Sequence, residues 1–286
     1  MKFSLICATY KRDKELEIFL NSLKHQIYKN FELIMVDQNE DDRVYNIVKN
    51  FENEFLIKYF RVNFTGLSKA RNYGIKYIEG DILAFPDDDC EYPSNLLYKV
   101  KEFFETKNYD ILSIYLVDKE KQKETTTRWL KKSSQINSLN ILRTITSLGI
   151  FIKLSNVKDS IFFDEEFGVG AKYPAEDVDF VYRLIKSGLK GYFSRELFVY
   201  HPIVENKPLD RFYYYGTGIG AFLRKHIRND ILLIFPALEN LIIRPIGGIV
   251  VNFLKFNKFG ILKNYYSLIG RWKGFLEYGK NSRHSK

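Results

Sequence analysis

Apolar residues recur in two alternating rhythms along the first part of the chain. Phe3-Ser-Leu-Ile-Cys-Ala-Thr9 is a short, nearly continuous apolar run closed by the polar turn Tyr10-Lys-Arg-Asp13, which predicts a buried strand. From Lys14 to Ile27 the spacing of Leu16, Phe19, Leu20 and Leu23 predicts a helix. The same alternation then predicts strands over 31–37, 57–62 and 81–85 and helices over 44–55 and 68–79. Strand and helix succeed one another at the spacing of βαβ units. The expected fold is therefore α/β, a mostly parallel central sheet with helices on both faces.

Between Asp110 and His201 the alternation is less regular. Residues 111–117 and 193–200 predict strands, and 177–187 predicts a helix stopped by Gly188. The polar stretch 119–138 reads as a mobile loop, and no internal repeat is visible. Open sheets of this kind bind ligands beyond the carboxyl ends of their strands. Thr9, Asp37 and Asp87-Asp88-Asp89 all follow strand ends, so distant polar clusters are expected at one edge.

A chain of 286 residues, 45% hydrophobic, has room for one large domain, alone or with a smaller appendage. Its aromatic content of 16% argues against disorder except over Asn281 to Lys286. The two cysteines, Cys7 and Cys90, belong to no CxxC or Cys/His cluster, which excludes a disulfide framework and a structural zinc site. The first eight residues imitate a signal peptide, but the apolar stretch is short and charges follow at once. The expectation is a buried first strand in a protein of a reducing compartment.

Charge changes the picture at the far end. The net charge is +9, and Arg244, Lys255, Lys258, Lys263, Arg271, Lys273, Lys280, Arg283 and Lys286 face Glu277 alone. The remainder is close to neutral, so this tail calls for an anionic partner, either nucleic acid or a membrane surface.

Three consecutive carboxylates at Asp87–Asp89 repel one another unless water or a cation neutralises them, and hard cations such as Mg²⁺ or Mn²⁺ favour carboxylate and phosphate oxygens. A solvated acidic turn is the plainer alternative. Gly66-Leu-Ser-Lys-Ala-Arg-Asn-Tyr-Gly-Ile75 adds a helix start that Ser68 is expected to cap. Arg71 on that helix is a candidate to meet oxygens of a ribose or pyrophosphate or to orient the aspartates, Asn72 is a candidate beside it, and Lys69 reads as an ordinary surface lysine.

Taken together these stretches resemble the family 2 glycosyltransferases of the GT-A fold. The resemblance is carried by Ser4 to Arg12, Val36-Asp37, Gly66 to Ile75, Asp87-Asp-Asp-Cys90, Ala175-Glu-Asp-Val-Asp-Phe-Val-Tyr-Arg-Leu184 and Val199-Tyr-His201, in order over roughly the first 200 residues. It implies a Rossmann-like sheet flanked by helices with a helical extension after it. The nucleotide-sugar-binding half would occupy 1–100, the acceptor-binding half 101–228 and the basic aromatic extension 229–286. It also implies roles. Thr9, Tyr10 and Arg12 border the nucleotide, and Asp37 holds a base, uracil or thymine. Asp87, with Asp88 beside it, faces the ribose or sugar. Asp89 binds the metal, Mn²⁺ or Mg²⁺, and His201 completes its coordination. Glu176-Asp177 matches an acidic pair near the acceptor, with Asp177 the expected base and Glu176 the alternative. Asp179 reads as a structural helix-start acid. Attack opposite the leaving diphosphate inverts the anomeric carbon. The QxxRW motif of processive members is absent, Thr-Arg-Trp129-Leu being no match, so a single sugar is expected to be added.

Arg211-Phe-Tyr-Tyr-Tyr-Gly216-Thr-Gly218-Ile-Gly220-Ala-Phe-Leu-Arg-Lys-His226 follows no strand, so its glycines are a poor dinucleotide fingerprint. Helix packing with a solvated basic end is the leading account, and closure of Arg224, Lys225 or His226 over phosphates the other. Residues 231–235 and 241–254 are strongly apolar, and Pro236, Glu239, Arg244, Pro245 and Asn252 read as interruptions that argue against a spanning helix. Lys255 to Tyr278 fits an interfacial helix on an anionic membrane, with packing of its apolar residues onto the catalytic domain or another subunit as the competing account. The expected setting is peripheral, at the cytoplasmic face, where a UDP- or dTDP-sugar and a lipid-linked saccharide meet in bacterial surface polysaccharide assembly. Two rivals stand against it. A sugar nucleotidyltransferase would show a glycine-rich loop where Thr9 to Asp13 stands. A non-catalytic basic protein bound to nucleic acid or membrane leaves the acidic clusters unexplained, and no nucleic-acid partner is expected. Homo-oligomerisation stays open.

Overall fold

A computed structural model of the chain describes residues 1–125, 129–158, 161–205 and 207–279. Lys280, Arg283 and Lys286 of the basic tail, the stretch Asn281 to Lys286 and Arg128 beside Trp129 lie outside the described residues. Two compact units are distinguished: Met1–Asn137 with Arg143–Phe163 and Phe180–Ile203, and Ser138–Leu142 with Asp164–Asp179 and Val204–Lys286.

Among the described residues, the first unit is built on a nine-stranded sheet. Strands β1 (Phe3–Thr9), β2 (Phe31–Asp37), β3 (Leu56–Arg61) and β4 (Ile82–Ala84) pair in parallel, in the order β3-β2-β1-β4. Between them run α1 (Lys14–Lys24), α2 (Arg43–Lys49) and α3 (Leu67–Ile75). β1, β2 and β4 consist almost wholly of buried residues, the mark of strands covered on both faces. Helix α1 buries the stripe Leu16, Phe19, Leu20 and Leu23 that its spacing predicts. Helix α3 begins after Gly66, whose φ of 126° is open to glycine and strained for other residues. The cap position therefore belongs to Gly66. Ser68, expected to cap, is buried inside the first turn.

Beyond β4 the sheet turns mixed. After α4 (Leu96–Thr106) come β5 (Ile111–Asp118) and β8 (Ile150–Lys153), and β8 lies antiparallel between β4 and β5. β9 (Gly191–Tyr200) pairs in parallel with β5. The stretch read as a mobile loop instead supplies two short strands, β6 (Lys123–Glu124) on β5 and β7 (Ser134–Gln135) on β9. Ladder hydrogen bonds come from the backbone, so a polar segment can extend a sheet edge without an apolar pattern. Trp129 anchors that region, buried and stacked on Phe193 at 5.6 Å.

In the second unit, α6 (Leu209–His226) and the helix Lys258–Glu277 cross at very close range. A Cβ on Gly220 would lie 1.9 Å from Arg271 O, and one on Gly274 1.9 Å from Thr217 O. Gly216 and Gly220 of the Tyr-Gly segment are thus backbone-contact positions between helices, in the small-xxx-small manner, while Gly218 makes room for the Pro174 carbonyl. The segment expected to be interrupted is one continuous helical run, Ile231–Leu254. Pro236 and Pro245 are buried, and a π turn over Glu239–Ile243 lies just ahead of Pro245. A proline ring clashes with the carbonyl four residues back, and a widened turn there lets the helix continue. Glu239 and Arg244 pair at 2.9 Å.

Candidate functional site

At the carboxyl edge of the first unit's sheet, the chain leaves β1 through Lys11 in the left-handed region (φ 56°), held by the Asn39 Oδ1 that accepts its N–H at 2.8 Å. That turn aims Thr9 and Arg12 at the acidic triplet following β4. Thr9 Oγ1 donates to Asp88 at 2.7 Å, and the Arg12 guanidinium meets Asp89 at 2.9 Å and Asp88 at 3.6 Å. Tyr10 is 45% exposed beside them. From α3, buried Arg71 reaches Asp87 at 2.9 Å with its guanidinium against the rings of Phe85 and Phe163. Asn72 donates to Phe163 O and accepts from Phe163 N, at 2.9 and 2.7 Å, which ties α3 to that loop. Lys69 lies over the Phe64 ring, 4.4 Å from its centre.

His201, one residue past β9, brings Nε2 to 3.3 Å from Asp89. Ligand atoms of Asp87, Asp89 and His201 all fall within 4.8 Å of one another. Two carboxylates and an imidazole are a donor set that Mn²⁺ accepts and Mg²⁺ accepts less readily, since Mg²⁺ favours oxygen. The electrostatics fit a site short of positive charge. Burial, with Asp89 and Asp87 adding to it, pushes the Asp88 carboxyl up to about 7 despite the Thr9 hydrogen bond. Burial alone would raise Asp89 as well, but His201 and Arg12 hold it below its ordinary value. Burial would lower His201, and the Asp89 carboxylate outweighs it and raises the imidazole.

Asp37 is fully buried at the end of β2. Its carboxylate accepts from Tyr59 Oη at 2.6 Å and from the Asn39 amide and backbone N–H at 2.7 and 2.9 Å. Tyr59 and Asn39 escaped the sequence reading. The parallel register of β3 against β2, which sets Tyr59 two residues from the partner of Asp37, was the signal that could have found Tyr59.

The second unit holds the other acidic group. Ala175 adopts φ 93°, a strained value for a residue with a side chain, immediately before Glu176 and Asp177 open α5 (Glu176–Lys186). Asp177 accepts from Val178 N at 2.8 Å. Asp179 is fully buried and receives His226 Nε2 at 2.7 Å and Lys225 Nζ at 2.8 Å. Lys225 also reaches Asp164 at 2.6 Å, and Arg224 lies over Phe275. The basic end of α6 thus anchors the start of α5, in keeping with a structural Asp179.

Comparison with known proteins bears on this arrangement. The family model for Glycosyl transferase family 2 matches residues 4–163. The poly(ribitol-phosphate) beta-N-acetylglucosaminyltransferase TarS of Staphylococcus aureus is 28% identical over 173 residues, 58% of this chain and 30% of its own length. The GalNAc(5)-diNAcBac-PP-undecaprenol beta-1,3-glucosyltransferase of Campylobacter jejuni is 29% identical over 174 residues, 58% of this chain and 56% of its own. The matched region is thus about half, or less, of the length of these curated relatives. Among solved structures, S. aureus TarS 1-349 in complex with UDP-GlcNAc superposes with a TM-score of 0.63 at 20% identity, covering 96% of this chain and 92% of that one. The mannosyltransferase PcManGT from Pyrobaculum calidifontis, in complex with GDP-Man and Mn²⁺, gives 0.70 at 12% identity, covering 96% and 86%. At such identities the likeness shows the fold, the GT-A arrangement of a mostly parallel sheet flanked by helices, here with a helical extension.

Proposed function

The chain belongs to glycosyl transferase family 2, and from that premise we propose that it moves a single sugar from a UDP- or dTDP-sugar to an acceptor hydroxyl, with metal assistance and inversion at the anomeric carbon. The observation that carries this reading is the grouping of Asp87, Asp89 and His201 at the strand edge, within 4.8 Å. TarS is solved with UDP-GlcNAc and PcManGT with Mn²⁺, which supports a nucleotide-sugar and a divalent cation for this chain too.

Asp89 and His201, with Asp87, would hold the cation, Mn²⁺ or Mg²⁺. When bound it supplies charge stabilisation for the departing diphosphate. Thr9, Tyr10 and Arg12 border the nucleotide, and Asp37, oriented by Tyr59 and Asn39, accepts from the imide N–H of a uracil or thymine. Asp88 lies under the donor sugar next to Asp87, and Arg71 and Asn72 fix the acidic loop and its neighbour Phe163 from behind. Asp177 removes the acceptor's hydroxyl proton as that oxygen attacks opposite the leaving group, Glu176 being the alternative base. Residues 1–100 then serve the donor, 101–228 the acceptor and 229–286 the membrane.

The acceptor is a lipid-linked saccharide of bacterial surface polysaccharide assembly, met at an anionic cytoplasmic membrane face. The Campylobacter relative, named for an undecaprenol-linked substrate, and the basic, apolar extension support this. The test is nucleotide release from a panel of UDP- and dTDP-sugars with Mn²⁺ and a membrane lipid extract as acceptor source. Turnover of one donor, lost in Asp177→Asn with donor binding intact, is expected. Release from no donor would count against the reading.

A further inference from the structure

Resting on the membrane-surface reading above, we propose that the element entering the bilayer is the helical hairpin made by Ile231–Leu254 and its following turn, led by Phe253, Leu254 and Phe256, and that it enters from one side without crossing.

The helical run is 24 residues, long and apolar enough to cross a membrane, yet only 28% of an 18-residue apolar window within it is buried. Its only charged residues, Glu239 and Arg244, neutralise each other. Its two prolines face inward, and what it shows outward is apolar. Phe235 is 65% exposed, Ile243 64%, Phe253 67%, Leu254 71% and Phe256 92%. Apolar side chains are normally covered in water, and an apolar face this extended marks an interaction surface. Phe256 adds a second oddity. It occupies the turn at φ 53°, where glycine or asparagine is the usual occupant after a helix. A phenylalanine in a left-handed turn, almost wholly exposed, is suited to an apolar medium.

The chain doubles back at that turn. Asn252 and Asn257 hydrogen-bond at 3.0 Å, Asn257 caps Gly260, and Arg271 donates to Asn240 O. A Cβ on Gly248 or Gly260 would lie within 2.2 Å of Asn264 or Asn252. Contacts between 240 and 271, 248 and 264, and 252 and 260 define an antiparallel hairpin, so the two strands of the chain leave by the side they entered. Its polar amides are satisfied internally, as an apolar medium requires.

Charge selects the lipid. No acid lies between Glu239 and Glu277, while Lys255, Lys258 and Lys263 cluster about the turn. Lysines beside a leading edge of phenylalanines keep their ammonium groups at the headgroup phosphates while their stems follow the apolar side chains. The exposed Tyr265 and Trp272 belong to the residue types that favour that same layer. Nucleic acid would leave the apolar face uncovered.

The test is flotation of the full chain with vesicles of phosphatidylcholine, pure or with about 30% phosphatidylglycerol, an anionic surface of the kind that draws basic segments. Phe253→Glu/Phe256→Glu and Lys255→Glu/Lys258→Glu are compared with wild type, with circular dichroism to verify folding and light scattering to read mass. Wild type is expected on the anionic vesicles, the phenylalanine variant about tenfold or more weaker, and the lysine variant without preference for anionic lipid. If wild type floats and the phenylalanine variant floats equally, the hairpin is not the inserted element, though the membrane-surface reading survives. If wild type floats with neither vesicle, both fall. A stable dimer that ignores vesicles and is dissociated by the phenylalanine changes would overturn the proposal in favour of a second copy on this face.

Discussion

The same substitution at two helical glycines of the extension should act with opposite sign. At Gly220 a Cβ would stand 1.9 Å from Arg271 O and 2.6 Å from Phe275 N, both backbone atoms that no rotamer change can move. The nearer contact is short of the 3.4 Å ordinary limit by about 1.5 Å, so α6 and its partner helix must separate. Overpacking of this kind costs about 1–3 kcal/mol, and the glycines at 216, 270 and 274 would lose contact together. Against it stands the helix-propensity gain of alanine over glycine, about 0.5–1 kcal/mol. Gly220→Ala should therefore destabilise by about 1–2 kcal/mol. Gly247, helical with nothing within 4 Å of its Cβ position, offers the gain without the clash, so Gly247→Ala should stabilise by about 0.5–1 kcal/mol. At about 2–4 °C per kcal/mol, thermal unfolding followed by circular dichroism resolves the two. Equal shifts of the same sign would refute the assignment of Gly220 to helix packing.

Other outcomes follow from the sites. Asp177→Asn should lower kcat about 10²–10⁴-fold at unchanged donor affinity, and Glu176→Gln by much less, measured by nucleotide release; the reverse order would hand the base role to Glu176. Hydrogen bonds from Lys58 and Lys2 lower Glu79 to about 2; burial would raise Glu32, but hydrogen bonds from Ser4, Lys58 and Lys2 bring it below its ordinary value. Both carboxylates thus have folded values below their unfolded ones, so the stability they contribute is complete above about pH 4.5 and disappears as pH falls towards about 2. Urea midpoints should fall over that window in wild type and less steeply in Glu79→Gln, and parallel profiles would contradict the network.

Much of the first unit was legible because local pattern and tertiary need agree there. The first strands and helices sit where apolar spacing puts them, since each buried strand needs an unbroken apolar run and each covering helix a stripe. β8 and α4 went unread. β8 is four residues long, too short to show a period, and it joins the sheet antiparallel by pairings that lie far away in sequence. The helical run through Pro236 and Pro245 was misjudged because sequence marks a proline's penalty but not the π turn that absorbs it. At the site, the acids declared themselves by clustering at strand ends. Arg71 on Asp87 is one of the two roles its place in the sequence offered, whereas Tyr59 and Asn39 fastening Asp37 depends on register, which spacing alone does not encode.

A metal-assisted nucleotide-sugar site at Asp87, Asp89 and His201 can be measured by thermal shift with UDP, dTDP and other nucleoside diphosphates, with and without Mn²⁺. UDP or dTDP at about 100 times its Kd, with Mn²⁺, should stabilise wild type by about 2.7 kcal/mol, roughly 5–10 °C, and Asp89→Asn should lose the metal-dependent part. Stabilisation by no nucleoside diphosphate, or an equal metal-dependent shift in Asp89→Asn, would contradict it.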